Sequence, residues 1–304
     1  KRQLVAAAGG LAVPIKPTAV ADGAMLRALA DLIQQAPEPD AARLDGDLVE
    51  RLSEAYREHF DDAVEGLVRL ARDAEAAGGA LLLDAEMTDL QPAVDRLFLS
   101  ALEAWAAESD KAFATYTSRS KRRGPPLYNT YQCYLSGSEA RLALDAAVAK
   151  DLGVAFGAKL VRGAYVGEAR AAGRLRGSKA ETDAAYDAAV ASLLEAAAAG
   201  DDVYAFLCTH NATSCEKALS KADALHLERG DDRLKFAQIL GLCDGLTRSL
   251  AAAGCRAHKL VLFGATRDLA PWIGRRLAEN ADALGAPAAE APALWRELAR
   301  RFVG

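Results

Sequence analysis

The chain has 304 residues, of which 51% are hydrophobic and 26% charged, with a formal net charge of −5. That is enough apolar material for a large core, and barrel folds of this length still form one domain. A mildly acidic balance gives no electrostatic reason to seek nucleic acid or an anionic membrane surface, and no apolar run reaches the roughly 18 residues of a membrane span. The five cysteines (Cys133, Cys208, Cys215, Cys243, Cys255) are odd in number and contain no CxxC. They read as free thiols rather than a disulfide framework or a thiolate metal site, and no other metal-binding spacing appears.

The opening KRQLVAAAGG has no initiator Met and no signal-peptide pattern, so a targeting segment upstream stays compatible with it. After it, short apolar runs and helical periodicity alternate. The runs read as strands: LAVPIKP from Leu11, ALLLDAE from Ala80, PLYNTYQCYL from Pro126 and FGAKLVRG from Phe156. They continue with DVYAFLCTH from Asp202, LKFAQILG from Leu234 and HKLVLFG from His258. SGSEARLALDAAVAKDLG reads as a helix, with Ser136 and Glu139 spaced for a capping box and Gly153 as its stop. AAYDAAVASLLEAAAAG reads as another, closing on Gly200. SRSKRRGPP (Ser118–Pro126) is a basic loop, AAGRLRGSKAETD (Ala171–Asp183) a polar one, and ALWRELARRFV a closing amphipathic helix. No linker divides residues 1–304, which read as one domain.

Strand–helix alternation predicts parallel strands joined by helical crossovers, and the continuously apolar strands predict a sheet covered on both faces. Seven strands are one short of a closed barrel. Either an element lies upstream of Lys1 or the sheet is open.

Polar residues recur at the strand ends. They are Lys16, Asp84 with Glu86, Asn129 with Gln132, Lys159 with Arg162, Thr209-His210-Asn211, and Gln238. In parallel α/β folds the carboxyl edge of the sheet is where ligands bind. Two readings stand for its charges. In one, Asp84 neutralises a lysine across the sheet; in the other, surplus cations (Lys16, Lys159, Arg162) await an anion or an electron-rich ring. PWIGRRLAEN places Trp272, Arg276 and Glu279 at i, i+4, i+7, with Arg275 and Glu279 at i+4. Leu269, Ile273 and Leu277 form the stripe that docks this helix. Two adjacent guanidinium forks suit a carboxylate; a solvated face is the plainer reading. His210 reads either as a satisfied hydrogen bonder or as a donor to a ligand. No GxGxxG, Walker loop or GxSxG is present.

The stretches IKPTAV, LLLDAEMTDLQPAVDRL, YNTYQCYL, GAKLVRGAY, CTHN, FAQILGLCD, KLVLFG and WIGRRLAEN, in this order from Ile15 to Asn280, resemble the proline dehydrogenase family, in wording closest to its mitochondrial, eukaryotic-type members. The resemblance implies a distorted (βα)8 TIM-like barrel, a single domain whose first strand lies upstream, with FAD across the carboxyl ends of the strands. It implies oxidation of L-proline to 1-pyrroline-5-carboxylate, by hydride transfer to flavin N5, as the first step of proline catabolism. Electrons pass to a quinone, from a peripheral position on the matrix side of the inner mitochondrial membrane, with the bacterial cytoplasm as the alternative location.

The resemblance also assigns roles. Arg275, Arg276 and Lys16 hold the substrate carboxylate and Asp84 orders them. Leu160, Ala164, Tyr165, Leu240, Leu260 and Trp272 wall the substrate. Gln132 and Lys159 serve the flavin's redox face, where a prearranged cation stabilises the charge gained on reduction. Val161, Arg162, Gly163, Thr209, His210, Asn211, Gln238 and Glu279 touch other parts of FAD, and Lys179 and Thr182 its pyrophosphate. The family has Tyr at the position of Leu260, Pro at that of Leu262 and Tyr at that of Trp272. A smaller residue at the first of these accompanies hydroxyproline use, so a hydroxyproline or other cyclic imino-acid dehydrogenase is the alternative. A Schiff-base lyase using Lys16 or Lys159 is a more distant one.

Overall fold

The structure is a computed structural model that describes residues 11–113, 124–125, 127–262 and 264–279. The opening KRQLVAAAGG, nearly all of the basic loop and the closing amphipathic helix lie outside these residues. All seven expected strands are present: β1 Ala12–Ile15, β2 Ala80–Leu83, β3 Leu127–Gln132, β4 Phe156–Val161, β5 Val203–Cys208, β6 Leu234–Ile239 and β7 Arg256–Leu260. Of these, β7 begins two residues before the apolar run, because its first residues pair with β6. The helices are α1 Gly23–Gln34, α2 Pro39–Ala42, α3 Glu54–Ala76, α4 Gln91–Phe113, α5 Ser138–Asp151 and α6 Val166–Ala171. They continue as α7 Lys179–Ala198, α8 Ala212–Ala224, α9 Asp244–Ala252 and α10 Thr266–Glu279. No described helix is long and apolar enough to cross a membrane.

The chain groups into two compact units that meet within β5, residues 1–205 and 206–304. In the first, β1, β2, β3 and β4 are parallel neighbours in chain order, with Ile15 opposite Leu83, Thr130 opposite Lys159 and Gln132 opposite Val161. The start of β5 runs beside β4, where the Phe156 N–H donates to the Asp202 carbonyl at 2.8 Å. In the second unit β6 and β7 are parallel, with Ile239 opposite Leu260, and past β5 the Thr209 N–H donates to the Ala237 carbonyl at 3.1 Å. Parallel strands need crossovers of a dozen residues or more, and the helices supply them.

Burial follows from the pattern. All four apolar residues of β2 and all six of β3 are buried, as strands covered on both faces must be, and the polar side chains Asn129, Thr130 and Gln132 of β3 are buried with hydrogen-bond partners. Met25, Leu26, Leu29 and Ile33 make a fully buried stripe on α1, and Asp22 caps that helix by accepting from the N–H groups of Ala24 and Met25. Gly153 and Gly200 end α5 and α7 with φ of 65° and 98°, a backbone conformation that glycine adopts without a Cβ penalty.

The expected capping box of α5 is not formed. The helix starts at Ser138 behind a left-handed Gly137, the Ser136 hydroxyl donates to the Arg174 carbonyl, and Glu139 pairs with Arg176. Spacing alone offered Ser136 a backbone partner inside the helix, and the 174–176 loop supplied a competing one.

A polar network is buried under the first unit's helices. Arg43 and Asp145, 2% and 0% exposed, form an ion pair, and the Tyr131 hydroxyl donates to Asp145 at 2.7 Å. Arg141 grips Asp95 through both carboxylate oxygens at 3.0 and 2.9 Å and donates to the Thr130 carbonyl. Buried charges of this kind persist only when paired and hydrogen-bonded.

Candidate active site

Charged and phenolic side chains converge where β1, β2 and β4 end in the first unit. Lys16 directly follows β1, Asp84 directly follows β2, and Lys159 lies within β4. Lys159 Nζ meets Asp84 Oδ1 at 2.5 Å, and Lys16 Nζ lies 3.8 Å from Asp84 Oδ2 and 4.0 Å from Glu86 Oε1. Lys16 also donates to the Ala85 carbonyl at 3.2 Å and to Tyr165 Oη at 3.1 Å, and Tyr165 Oη donates to Glu86 Oε2 at 3.4 Å. The Lys159 side chain is 13% exposed and that of Lys16 45%, so one cation is sheltered and the other faces solvent. Burial pushes the Glu86 carboxyl above its ordinary range. Lys16 and the Tyr165 hydroxyl oppose that rise, and the charges of Asp84 and Glu168 add to it.

The expected surplus of cations is therefore corrected within this unit. Lys16 and Lys159 face Asp84 and Glu86, two positive charges against two negative. Arg162 Nε donates to Asp183 Oδ1 at 2.6 Å and its guanidinium stacks over Tyr186 at 4.5 Å. Lys179 reaches the other oxygen of Asp183 at 2.7 Å. Partial burial works against Asp183, yet hydrogen bonds from Lys179 and Arg162 hold its carboxyl below the ordinary range.

The turn after β4 has a tight backbone fit. Gly163 sits at φ 144°, and a Cβ there would stand 1.7 Å from Tyr134 Cε1. The Tyr134 N–H donates to the Arg162 carbonyl, and its hydroxyl accepts from the Tyr165 N–H at 3.3 Å. One aromatic side chain thus sets the path that delivers Arg162 and Tyr165. Ala164 lies in the same turn, its N–H 3.4 Å from Gln132 Oε1. The Gln132 amide also donates to the Glu86 carbonyl at 3.0 Å.

Other expected residues are placed differently. Leu160 is fully buried, on the strand face opposite Lys159 and Val161, so it presents no surface to a ligand here. Thr182 bonds back to the Ser178 carbonyl, and Asn211 caps α8 by accepting from the Ser214 N–H.

In the second unit, Thr209 Oγ1 accepts from the Asn211 N–H, and His210 Nε2 accepts from the Ile239 N–H at 3.1 Å. Gln238 donates to the Thr209 carbonyl and accepts from the Thr247 hydroxyl at 2.7 Å. These contacts match the reading of His210 as a satisfied hydrogen bonder.

Leu240, just past β6, and Val261, just past β7, are 55% and 56% exposed. Leu260 ends β7 half-buried. On α10 the Arg276 guanidinium lies 5.5 Å from the Trp272 ring, as the i, i+4 spacing predicts, and Arg275 is exposed. The expected docking stripe is incomplete, since Ile273 is 40% exposed. The side chains of Leu277 and Glu279 lie outside the described residues.

Two participants were not singled out from the sequence: Asp183 as the counter-ion of Arg162 and Tyr134 as the ring against Gly163. Both contacts are non-local, although the i, i+4 spacing of Lys179 and Asp183 was a local signal for Asp183.

The family model described as proline dehydrogenase matches residues 15–286. The chain is 33% identical to hydroxyproline dehydrogenase of Bos taurus over 90% of its own length and 59% of that protein's. It is 31% identical to mitochondrial proline dehydrogenase 1 of Homo sapiens, over 84% of this chain and 41% of that protein. The chain thus spans about half the length of these curated relatives. Among solved structures, proline utilization A of Bdellovibrio bacteriovorus inactivated by N-propargylglycine superposes with a TM-score of 0.65 at 19% identity. That match covers 88% of this chain and 24% of the other. The likeness assigns an α/β fold of the TIM-like barrel class. With the family model matched from the end of β1 to beyond α10, the chain belongs to the proline dehydrogenase family.

Proposed function

We propose that residues 1–304 form the barrel domain of an FAD-dependent enzyme that oxidises L-proline to 1-pyrroline-5-carboxylate and passes the electrons to a quinone. The observation that carries this is the Lys16–Asp84–Lys159–Glu86–Tyr165 cluster at the strand ends. The residues at this edge fit a flavin in chemistry. Lys159 is a sheltered cation held in place by Asp84. In the second unit, taken by itself, Leu240 and Val261 are exposed apolar side chains past the ends of β6 and β7. When bound, FAD supplies the acceptor for the electron pair.

The chain's residues do the rest. Lys159 with Gln132 would hold the redox face of the cofactor, and Arg162 and Gly163 its polar extensions. Lys16, Arg275 and Arg276 would take the substrate carboxylate, two planar forks and a point charge, with Asp84 keeping Lys16 oriented. Anchoring the carboxylate orients the opposite end of the ring, and positioning of this kind is worth several kcal/mol of barrier. Tyr165, Ala164, Leu240 and Leu260 would wall the ring. Lys16 and Lys159 each face a carboxylate rather than standing in the apolar pocket that activates a Schiff-base lysine, which disfavours that reading.

A second reading, trans-4-hydroxyproline as substrate, is favoured by Leu260 in place of a tyrosine and by relatives named hydroxyproline dehydrogenase. The human relative is named mitochondrial, which supports a mitochondrial location; a peripheral position on the matrix side of the inner membrane is the reading the family resemblance gives, and a bacterial cytoplasmic enzyme is the alternative. The test is a flavin spectrum of the purified protein followed by steady-state assays with L-proline, trans-4-hydroxyproline and pipecolate. Arg275→Met and Arg276→Met should each raise KM for the preferred acid by about 10²-fold, the loss of a charge-assisted bidentate contact. FAD should remain bound in both. Colourless protein after reconstitution, or unchanged KM in both variants, refutes the proposal.

A further inference from the structure

Glu86 is 8% exposed, and the reaction described above gives it no task. It is nevertheless held from several elements. Its N–H donates to Gln91 Oε1 on α4 at 2.8 Å and its carbonyl accepts from Gln132 at the end of β3. Its carboxylate faces Lys16 after β1 and Tyr165 before α6, and the charges of Asp84 and Glu168 are felt there too.

The distances divide the four charges unequally. Lys159 and Asp84 touch at 2.5 Å and form a closed pair. Lys16 is shared at longer range, 3.8 Å from Asp84 and 4.0 Å from Glu86, and it is the most exposed of the four. An incoming carboxylate therefore competes for Lys16, and the loser is Glu86, a buried carboxylate left with a phenolic hydroxyl as its remaining donor.

We propose that Glu86 takes up a proton when a substrate carboxylate docks on Lys16, so that this site binds its anion together with a proton. The inference rests on the reading of this cluster as the substrate-carboxylate site. The exchange balances at Lys16. Before binding, Lys16 faces the carboxylates of Asp84 and Glu86. A ligand carboxylate takes the place of Glu86 there, and one proton from solvent converts the displaced Glu86 carboxylate to the acid, so the number of carboxylates facing Lys16 is unchanged whatever charge Arg275 and Arg276 bring to the ligand. Burial favours that neutral form, because an unpaired buried carboxylate is costly. An amino-acid substrate carries an equivalent proton on its ammonium group, which must lose one before the C–N bond can be oxidised. Glu86 is thus a positioning and proton-holding residue, acting through Lys16 and Tyr165.

The test uses the full chain loaded with FAD and cyclopentanecarboxylate, which offers a ring and a carboxylate but no nitrogen to oxidise. Calorimetric titration at neutral pH in buffers of different ionisation enthalpy reads the protons taken up per ligand bound. About one-half to one proton is expected for the wild type, and close to none for Glu86→Gln. The wild-type dissociation constant should weaken as pH rises, approaching about tenfold per pH unit. Infrared difference spectra should show a carboxylic-acid C=O band appearing on binding. Binding with no proton uptake and a pH-independent dissociation constant in the wild type overturns the inference and leaves the proposed function standing. Equal uptake in wild type and a folded Glu86→Gln variant also overturns it. Failure of the acid to bind at all overturns both.

Discussion

Gly163→Ala tests whether the turn after β4 is set by a single ring. A Cβ at this position would stand 1.7 Å from Tyr134 Cε1 and 1.8 Å from Cδ1, where carbon atoms pack at roughly 3.5–4.0 Å. The ring must retreat by about 2 Å, or the turn must move. Retreat forfeits the 3.3 Å hydrogen bond from the Tyr165 N–H to the Tyr134 hydroxyl, worth about 1 kcal/mol. The φ of 144° at Gly163 adds backbone strain of about 1–3 kcal/mol for any residue with a side chain. The sum is about 2–4 kcal/mol, which for a chain of this size lowers Tm by roughly 4–15 °C. Thermal unfolding followed by circular dichroism measures it. The double variant with Tyr134→Ala separates the causes. With the ring gone, Gly163→Ala should cost less by about 1–2 kcal/mol, the coupling between touching residues. A Tm within about 1 °C of wild type, or the same cost with and without the ring, refutes this account.

Asp145→Asn leaves the Arg43 guanidinium charged and 2% exposed without its partner, so stability should fall by about 3–5 kcal/mol in urea unfolding; a loss under about 1 kcal/mol counts against the buried pair. The Asp183 carboxyl is held below its ordinary value of 3.8, so the stability it contributes is present above that pH and is lost as pH falls through the folded-state value. Asp183→Asn should therefore flatten the acid limb of the stability profile, and an identical limb in both proteins would exclude the Arg162–Lys179 clamp as its source. Lys159→Met removes the sheltered cation beside Asp84, so turnover of the preferred substrate should drop by about 10²-fold with the fold retained; undiminished turnover would deny the lysine any electrostatic role.

Short apolar runs set between stretches of 3.6-residue periodicity were enough to locate the seven described strands, because run length and helical repeat are local properties of the chain. They also marked the polar residues at the strand ends and the Trp272–Arg276 pair, whose i, i+4 spacing is set by helix geometry alone. Partner choice was not legible in the same way. Lys159 meets Asp84 across 75 residues of sequence, and Tyr165 meets Glu86 across 79. The β3–β4 register and the turn at Gly163 bring the latter side chains into range. The same register buries Leu160 opposite Lys159, and a competing loop carbonyl took Ser136 from its expected cap. Local repeats announce which groups reach the carboxyl edge of a parallel sheet. Which charge neutralises which is settled only when strands from distant parts of the chain lie side by side, since Coulomb and hydrogen-bond energies depend on separations of a few ångströms that no spacing in sequence encodes.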